Sequence, residues 1–316
     1  MTPIHKHCVV LVCNEGFLKP ALFVCQQLAS ANACRFDAVI VSGEDLKHLI
    51  PENVKFLHVE MDSFTDQLPQ SIRLRNFAYW RIPAIEALSP HYERILYLDA
   101  DVFVNDPDQI DRLLNIDMGD QAIAAVRDVH QLTRPARIAQ EHQALGLPTT
   151  PYFNSGVLLV QSSKWQAQHF FEKMSRIAKT HKDKLFCHDQ SLLNLSSEGR
   201  WLELAPVWNW QYSRKNCLLT EMVSPCIIHF AGAVKLWHAP DGDIPQHYWQ
   251  AYQHYLHSKG IESDLNYPVV NTASLQKWAI KLTKNWWYFH HYKRYLLRFE
   301  TLTSTTPHHK RFDLPI

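Results

Sequence analysis

The amino-acid sequence predicts an α/β protein with a mostly parallel central sheet flanked by helices. Short apolar runs rich in β-branched residues alternate with segments whose apolar residues recur at helical spacing, the order expected when helices connect parallel strands. The 316 residues, 46% of them hydrophobic, are enough to bury a full core in one large domain or two smaller ones. Nine glycines leave little material for a long flexible linker.

The first third of the chain contains predicted strands and helices in alternation. The strands are expected at Cys8–Cys13, Phe36–Val41, Val54–Val59 and Ile95–Leu98. The helices are expected at Ala21–Ala31 and Ile72–Leu88. Pro83 lies inside the second helix and is expected to kink or divide it, because proline cannot donate the helical hydrogen bond.

The rest of the chain continues the same alternation. Further strands are expected at Ala122–Val126, Gly156–Val160 and Cys226–Phe230. Further helices are expected at Arg137–Leu145, Lys164–Lys179, Asp189–Leu195 and Pro245–His257. Pro240–Pro245 is the predicted boundary between a main domain, residues 1–240, and a helical C-terminal extension, residues 241–316.

Two carboxylates follow the fourth predicted strand. In an extended strand residues two apart point the same way, so Asp99 and Asp101 are expected to project together where the strand leaves the core. Two aligned oxygen ligands suit a hard divalent cation, which can also accept the phosphates of a nucleotide. The carboxyl ends of strands are where ligands collect in such sheets, and the turn at residues 14–17 is expected at the same edge.

Two other Asp-x-Asp pairs show that the spacing alone does not identify a metal site. Asp106 and Asp108 flank a proline, whereas Asp241 and Asp243 flank a glycine. Both pairs are therefore predicted to be turn carboxylates.

Composition and missing motifs exclude several function classes. A net charge of +1 argues against a general nucleic-acid binder. No Gly-x-Gly-x-x-Gly or Walker sequence occurs, so Rossmann dinucleotide and P-loop interpretations fail. The seven cysteines form no Cys-x-x-Cys, so we expect buried or inert thiols and neither a zinc knuckle nor a disulfide framework.

The sequence offers no signal for export or membrane insertion. The N-terminal apolar run Cys8–Cys13 is too short for a secretory signal peptide. No apolar stretch approaches the roughly eighteen residues needed to span a bilayer. The expectation is a cytoplasmic protein.

Four further segments place polar residues at predicted strand ends or helix starts. They are Asn14–Phe17, Tyr152–Val157, His188–Ser191 and Ile228–Trp237. With the Leu-Asp-Ala-Asp sequence, their order and spacing resemble glycosyltransferase family 8, the retaining group that includes glycogenin and bacterial lipooligosaccharide galactosyltransferases. The resemblance covers roughly residues 8–240.

This resemblance implies a GT-A fold, a nucleotide-diphosphate-sugar donor that is usually UDP-linked, and Mn²⁺, with Mg²⁺ as the alternative. Asp99, Asp101 and His229 match the family's metal ligands. Two carboxylates and an imidazole leave coordination positions open for both phosphates. Lys235 matches the lysine that meets the diphosphate, and Gly232 matches a position of close backbone approach.

The resemblance also assigns the uracil site and the loop after the histidine, with three departures from the family pattern. Asn14 and Phe17 match the uracil-binding positions, where Asn replaces a frequent Asp and Phe a frequent Tyr. Stacking on the base is retained, but the preference for uracil stays open, as does simple packing of Phe17 against the first helix. Leu236 replaces a common proline, which leaves the stiffness of that loop open.

The positions that face the donor sugar and the reacting carbon are matched by four residues. Three of them, Asn154, Asp189 and Gln190, match residues that face these groups, and Ser155 lies beside them at a family position occupied by small residues. Arg81 matches the donor-contacting arginine, with Arg73 and Arg75 as alternatives, and Asp128 is either a ligand of sugar hydroxyls or an ordinary surface charge.

The predicted mechanism is front-face substitution. The departing phosphate helps to deprotonate the acceptor hydroxyl, while Asp189 and Gln190 stabilise the cationic sugar. A covalent intermediate on one of these two residues is the alternative.

The C-terminal segment has a distinct composition. Between Leu265 and Phe299 there are six Lys or Arg and no Asp or Glu, which leaves about −5 on the rest of the chain. Aromatic and aliphatic residues recur at roughly helical spacing in the same segment. Residues 273–300 are therefore predicted either to lie on an anionic membrane surface or to dock on the main domain with a basic face in solvent.

Taken together, these features predict a retaining hexosyltransferase that moves glucose or galactose from a UDP-sugar to a saccharide or glycolipid acceptor. Synthesis of cell-surface polysaccharide or lipopolysaccharide is the expected role, with no nucleic-acid partner. The alternatives are a non-catalytic nucleotide-sugar-binding or glycan-binding protein that keeps the fold and, more remotely, a haloacid-dehalogenase-like phosphatase. The aromatic stretch Val207–Tyr212 either lines an acceptor groove or, as we prefer, belongs to the core.

Overall fold

A computed structural model describes most of the chain. The described residues are 2–32, 34–61, 68, 76–134, 136–213, 215–233, 235–237, 244–262, 275–299, 301 and 304–307. The predicted boundary at Pro240–Pro245 falls largely outside them, as do Arg73, Arg75, Asp241 and Asp243.

The described elements alternate along the chain as the sequence predicts. The strands are β1 (His7–Val12), β2 (Asp37–Ser42), β3 (Lys55–His58), β4 (Arg94–Leu98), β5 (Val102–Val104), β6 (Ile123–Arg127), β7 (Phe153–Gln161), β8 (Leu202–Leu204), β9 (Trp210–Gln211), β10 (Ile227–His229) and β11 (Thr305–Pro307). The helices are α1 (Glu15–Ala29), α2 (Arg81–Leu88), α3 (Ile110–Leu114), α4 (Val129–Thr133), α5 (Gln140–Ala144), α6 (Ser162–Ala167), α7 (Phe170–His181), α8 (Asp189–Ser197), α9 (Cys217–Val223), α10 (Gln246–Ser258) and α11 (Leu275–Leu296).

Eight of the described strands form the main sheet, in the order β3–β2–β1–β4–β7–β6–β8–β11. Among these eight described strands, β7 and β11 run against the other six, so the predicted mostly parallel sheet is confirmed. A second, three-stranded sheet pairs β10 with β5 and with β9. Because β5 follows β4 after a three-residue turn, this small sheet lies beside the carboxyl end of β4.

Helices cover both faces of the main sheet. Successive residues of a strand point to opposite faces, and in β1 this places Val9 and Leu11 on one side and Cys8 and Val10 on the other. The first face packs under α1, and the second packs under α2, α7 and α8. Continuous burial of the central strands explains why the sequence shows apolar runs there and no alternation.

Three helix predictions differ from the structure by more than a few residues or in continuity. α1 begins at Glu15, not at residue 21, because the Asn14 side chain accepts a hydrogen bond from the Phe17 N–H at 3.2 Å and caps the helix. Residues 72–75 of the predicted helix Ile72–Leu88 lie outside the described part, a 3₁₀ helix covers Asn76–Tyr79, and α2 begins at Arg81. Pro83 therefore lies in the first turn of α2, where no N–H partner is needed. The predicted helix Lys164–Lys179 is divided at His169, whose φ of 51° is incompatible with a continuous helix.

The C-terminal segment packs on the main domain through one face of α11. Tyr292 and Tyr295 are buried there, and the Tyr295 hydroxyl donates a hydrogen bond to Glu203 on β8. The opposite face exposes large apolar side chains, including Leu282 and Trp286. Within the described residues no helix has both the length and the apolar character required to cross a bilayer.

Candidate active site

Most of the residues singled out in the sequence meet at one edge of the main sheet. β1, β4 and β6 end there, and the antiparallel strand β7 begins there. The Asp99 N–H donates to the Gly156 carbonyl at 2.8 Å, and the Asp128 N–H donates to the Tyr152 carbonyl at 2.9 Å. Strand pairing therefore fixes the relative positions of the segments that follow β4 and β6.

Asp99, Asp101 and His229 form a compact group of potential metal ligands. Each offers one ligand atom, and these atoms all lie within 4.8 Å of one another. His229 Nε2 is 3.2 Å from Asp101 Oδ1 and 3.6 Å from Asp99 Oδ2. The geometric argument from the sequence was wrong in one respect, because both carboxylates lie in the turn between β4 and β5 and not in an extended strand.

The side chains present fit a divalent cation. Asp101 Oδ1 is buried and accepts no hydrogen bond from the described residues, although His229 Nε2 is its near neighbour. Two carboxylates and an imidazole are a donor set that suits Mn²⁺, and the carboxylates also suit Mg²⁺. Asp99 keeps a route to solvent, since its side chain is 22% exposed.

Lys235 already contacts one of these carboxylates. Its ammonium donates to Asp101 Oδ2 and, at 2.7 Å, to the Phe230 carbonyl. Burial opposes ionisation of Asp101, but the protonated form of His229 and the Lys235 ammonium outweigh it and hold the pKa of that carboxyl well below its usual range. The lysine matched to the diphosphate thus lies directly beside the proposed metal ligands.

His229 is held in a tightly packed pocket. It is 3% exposed, and its Nδ1 lies 3.0 Å from Asn209 Oδ1. Gly156 on β7 passes so close that a Cβ there would lie 2.0 Å from His229 Cε1 and 2.8 Å from Asp99 Oδ2. Only glycine at position 156 leaves room for the imidazole and the carboxylate together.

Arg81 connects the metal-ligand group to the predicted catalytic pair. Its guanidinium is 3.0 Å from Asp99 Oδ1 and 3.1 Å from Asp189 Oδ2, and it donates to the Ser155 carbonyl at 2.7 Å. It also lies over the Tyr97 ring, 4.6 Å from the centroid. Burial alone would lower the pKa of Arg81, but Asp189 and Asp99 raise it, so this buried cation stays charged.

Asp189 is buried at the start of α8. Its Oδ2 accepts a hydrogen bond from the Ser155 hydroxyl at 2.9 Å in addition to the Arg81 contact. Burial raises the pKa of this carboxyl, Arg81 lowers it, and the net direction is upward. His188, the preceding residue, has φ 53°, a backbone conformation that side chains rarely adopt.

Gln190 joins three of the predicted residues in one network. Its Oε1 accepts from Asn154 Nδ2 at 3.1 Å and from the Ser155 N–H at 3.2 Å. Its Nε2 donates to Asp128 Oδ2 at 3.2 Å. Asp128 also caps α4, so it is a structural carboxylate as well as a neighbour of the site.

The residues predicted to bind the nucleotide base lie apart from this network. Phe17 is half-buried, with its ring 5.5 Å from that of Phe77 and 5.8 Å from that of Trp237 between centroids. Asn14 is occupied in part as the α1 cap. Gly232 is exposed, and a Cβ there would meet no described atom within 4 Å. The described residues therefore do not require a glycine at this position, and the expected approach of a diphosphate is the only reason offered for it.

Three secondary predictions can also be compared with the structure. Asp108 accepts two hydrogen bonds from Asn32, as expected of a turn carboxylate. Trp208 and Trp210 are fully buried, as expected if the Val207–Tyr212 stretch belongs to the core. All seven cysteines are free, five of them buried, but Cys34 and Cys187 are exposed.

Sequence reasoning missed three residues that contact the predicted site. Asn209 bonds His229, Gly156 makes room for it, and the Tyr97 hydroxyl donates to Asp99 Oδ1 at 2.6 Å. Asn209 lies between two core tryptophans and gave no signal of its own. Tyr97 could have been found, because it lies two residues before Asp99 and residues two apart in a strand point the same way.

Solved structures share this architecture. The galactosyltransferase LgtC, solved with donor and acceptor sugar analogues, superposes with a TM-score of 0.61 at 20% identity and covers 86% of this chain and 99% of its own. The bifunctional glycosyltransferase WbbM superposes with a TM-score of 0.65 at 16% identity, over 90% of this chain and 53% of its own. The fold is thus the GT-A glycosyltransferase fold.

Relatives are also found by sequence. General stress protein A of Bacillus subtilis is 28% identical over 67% of this chain and 74% of its own length. The lipopolysaccharide 1,2-glucosyltransferase of Escherichia coli is 32% identical over 51% of this chain and 48% of its own length. The lipopolysaccharide 1,3-galactosyltransferase of Salmonella typhimurium is 25% identical over 61% of this chain and 56% of its own length. The chain thus spans about half the length of these two lipopolysaccharide enzymes.

A family model covers the whole region in which the predicted motifs occur. The model for glycosyl transferase family 8 matches residues 8–241, which include both Asp-x-Asp carboxylates of the site, the Asp189–Gln190 pair and His229. This match leaves no place for the phosphatase alternative. The chain belongs to glycosyl transferase family 8.

Proposed function

We propose that this protein is a metal-dependent, retaining hexosyltransferase that moves glucose or galactose from a UDP-sugar to a hydroxyl of a saccharide or glycolipid acceptor. The observation that carries the proposal is the convergence of Asp99, Asp101 and His229 beside the buried Arg81–Asp189 pair. The names of the glucosyltransferase and galactosyltransferase relatives support a hexose as the transferred group. They also support a role in lipopolysaccharide or other cell-surface polysaccharide synthesis.

Asp99, Asp101 and His229 would hold the cation, Mn²⁺ by preference and Mg²⁺ as the alternative. When bound, the cation supplies Lewis-acid stabilisation of the charge on the departing diphosphate. Lys235 adds a second positive charge from the loop after β10, where it can exchange its contact with Asp101 for a phosphate oxygen. Gly232, which has open space around it, lets the diphosphate approach the same loop.

The base is proposed to bind near Phe17, with Asn14 reading its edge. Phe17 and Trp237 present aromatic surface on which a pyrimidine can stack. Because both are only half-buried, a base can reach them from solvent.

The remaining residues are proposed to orient the sugar and stabilise its positive charge. Asp189 Oδ2 is occupied by Arg81 and Ser155, and Gln190 Oε1 by Asn154 and the Ser155 N–H. Groups held in this way favour electrostatic stabilisation over nucleophilic attack, in keeping with front-face substitution. The acceptor hydroxyl would enter beside Gln190 and Asp128, which line a cavity of about 80 Å³ with His130, Arg137 and Tyr152.

Mechanistic trapping can separate the two routes. Incubation with an activated fluoro-sugar donor followed by peptide mass spectrometry should reveal no sugar ester on Asp189. An ester at that position would establish double displacement and refute the front-face mechanism. Asp189→Ala and Gln190→Ala are expected to lower kcat much more than donor affinity, because both groups act on the charge that develops in the transition state.

A peripheral contact with the cytoplasmic face of an anionic membrane is part of the proposal. The exposed face of α11 carries Leu282 and Trp286 among lysines, which is typical of a helix at a membrane surface. The opposite face is docked on the main domain, as the second of the two sequence-based alternatives predicts, and this docking leaves the first face exposed for the proposed membrane contact. The side chains of residues 275–278 lie outside the described part.

The test of the proposed reaction is UDP release from a panel of UDP-sugars, with and without Mn²⁺. The wild type should turn over one donor in a metal-dependent manner, even with water as a slow acceptor, and Asp101→Ala should abolish this. Asp106→Ala removes a turn carboxylate of the same spacing and should leave turnover intact. Donor binding without turnover on any acceptor would support the non-catalytic alternative, and absence of any UDP binding would refute the donor assignment.

A further inference from the structure

The Nδ1 atom of His229, which points away from the two carboxylates, faces a buried asparagine. Metal-binding histidines use one ring nitrogen, and the partner of the other nitrogen decides which tautomer is present. In this protein the partner is Asn209, which is 1% exposed and 3.0 Å from His229 Nδ1. An amide can present either an oxygen or an NH₂ group, so its orientation must be established first.

Backbone hydrogen bonds fix that orientation. The Gly156 N–H can only donate, and it lies 3.0 Å from one atom of the Asn154 amide, which must therefore be the oxygen. The same oxygen is 2.9 Å from an Asn209 amide atom, which must therefore be the NH₂ group. It follows that the oxygen of Asn209 faces His229.

The other end of the network gives the same polarity independently. The Ser155 N–H donates to Gln190 Oε1, so Gln190 Nε2 must face Asp128, whose carboxylate accepts it at 3.2 Å. The Asn154 NH₂ group then donates to Gln190 Oε1 at 3.1 Å, which leaves its oxygen toward Gly156. Two adjacent N–H groups of β7 thus define every donor and acceptor from Asp128 to His229.

We infer that Asn209 is a positioning residue that holds His229 in the Nδ1–H tautomer, so that Nε2 presents a lone pair to the two carboxylates. A lone pair that faces carboxylate oxygens at 3.2 and 3.6 Å has no hydrogen to share with them. A cation between the three atoms satisfies all of them, whereas the Nε2–H tautomer would satisfy the carboxylates without any cation. Asn209 therefore favours metal binding over an internal hydrogen bond, an inference that rests on the proposed metal site.

The tautomer can be measured without any metal. In ¹⁵N-histidine-labelled wild-type protein at pH 8, long-range ¹H–¹⁵N NMR should show His229 protonated at Nδ1 and unprotonated at Nε2. A His229→Asn spectrum identifies the signals by their disappearance. A ring protonated at Nε2, alone or together with Nδ1, overturns the inference, and this result does not depend on the folding of any Asn209 variant.

The consequence for metal binding is tested by titration with MnCl₂ in the absence of nucleotide. Asn209→Leu should weaken binding by roughly 10- to 100-fold, the usual effect of removing the partner of a metal-binding histidine. Asn285→Leu applies the same change at another buried asparagine, in α11, and should leave the affinity unchanged. Wild-type affinity in Asn209→Leu would refute the positioning role. Absence of Mn²⁺ binding by the wild type would instead refute the metal-dependent function, while the NMR measurement would still decide the tautomer.

Discussion

Replacing Gly156 by alanine should remove the proposed metal site while leaving the fold in place. The new Cβ would lie 2.0 Å from His229 Cε1, whereas ordinary contacts begin at 3.4 Å, so the ring must move by at least about 1.4 Å. Metal–nitrogen bonds tolerate only about 0.2 Å of error. His229 is buried and held by Asn209, so it cannot turn aside and still ligate, and Mn²⁺ affinity should fall on the order of 100-fold.

The assay combines MnCl₂ titration with thermal unfolding. Overpacking of this kind costs about 1–3 kcal/mol, so the Tm of Gly156→Ala should fall by a few degrees while unfolding stays cooperative. Mn²⁺ should raise the Tm of the wild type but not that of the variant. Gly232→Ala is the control, since its Cβ meets no described atom within 4 Å and Mn²⁺ affinity without nucleotide should not change. Mn²⁺ binding by Gly156→Ala at wild-type affinity would show that His229 is not a ligand.

Three further predictions address charge and surface. Lys235→Met should raise the affinity for Mn²⁺ without nucleotide about 5- to 10-fold, because the lysine ammonium no longer competes with Mn²⁺ for Asp101. The same variant should bind UDP more weakly. Calorimetry that finds no gain in Mn²⁺ affinity would contradict this prediction. Asp37→Asn should lower the free energy of unfolding by about 1–2 kcal/mol at pH 7. Burial would raise the pKa of Asp37, but hydrogen bonds from an ammonium, a backbone N–H and a phenol lower it, so its stabilisation is present above pH 4 and is lost as the pH falls further. Urea unfolding at pH 7 and pH 3 should therefore show a deficit that shrinks in acid, and an equal deficit at both values argues against an ionic role. Trp286→Ser should reduce sedimentation of the protein with anionic vesicles several-fold, whereas Leu49→Ser, at the opposite end of the main sheet, should not. If both variants lose sedimentation equally, or if neither loses it, the proposed membrane contact is refuted.

The sequence predicted those parts of the molecule in which one local pattern decides the structure. The central strands and the edge at which Asp99 and Asp101 lie follow from apolar runs that end in polar residues, because burial on both faces requires such runs. The bounds of α1 and α2 were less accurate, since a cap and a first-turn proline act through single contacts that periodicity does not report. β8 and β9 were missed because strands of three and two residues carry no periodic signal.

The candidate site likewise has one part that sequence patterns indicate and another part that they do not. The side chains proposed to ligate the cation belong to motifs, but contacts that orient them come from residues with no pattern, as Asn209 between two tryptophans shows. What unites both parts is the start of β7, where consecutive N–H groups at Ser155 and Gly156 set the polarity of Gln190 on one side and of His229 on the other. These N–H groups lie in the first part of β7, where its register against β6 shifts, and the Asp99 N–H holds this segment by donating to the Gly156 carbonyl at 2.8 Å. The main sheet thus positions the groups proposed to bind the cation and to stabilise the sugar, whereas the positions proposed to bind the base and the acceptor lie on connecting segments, where specificity can vary without disturbing the chemistry.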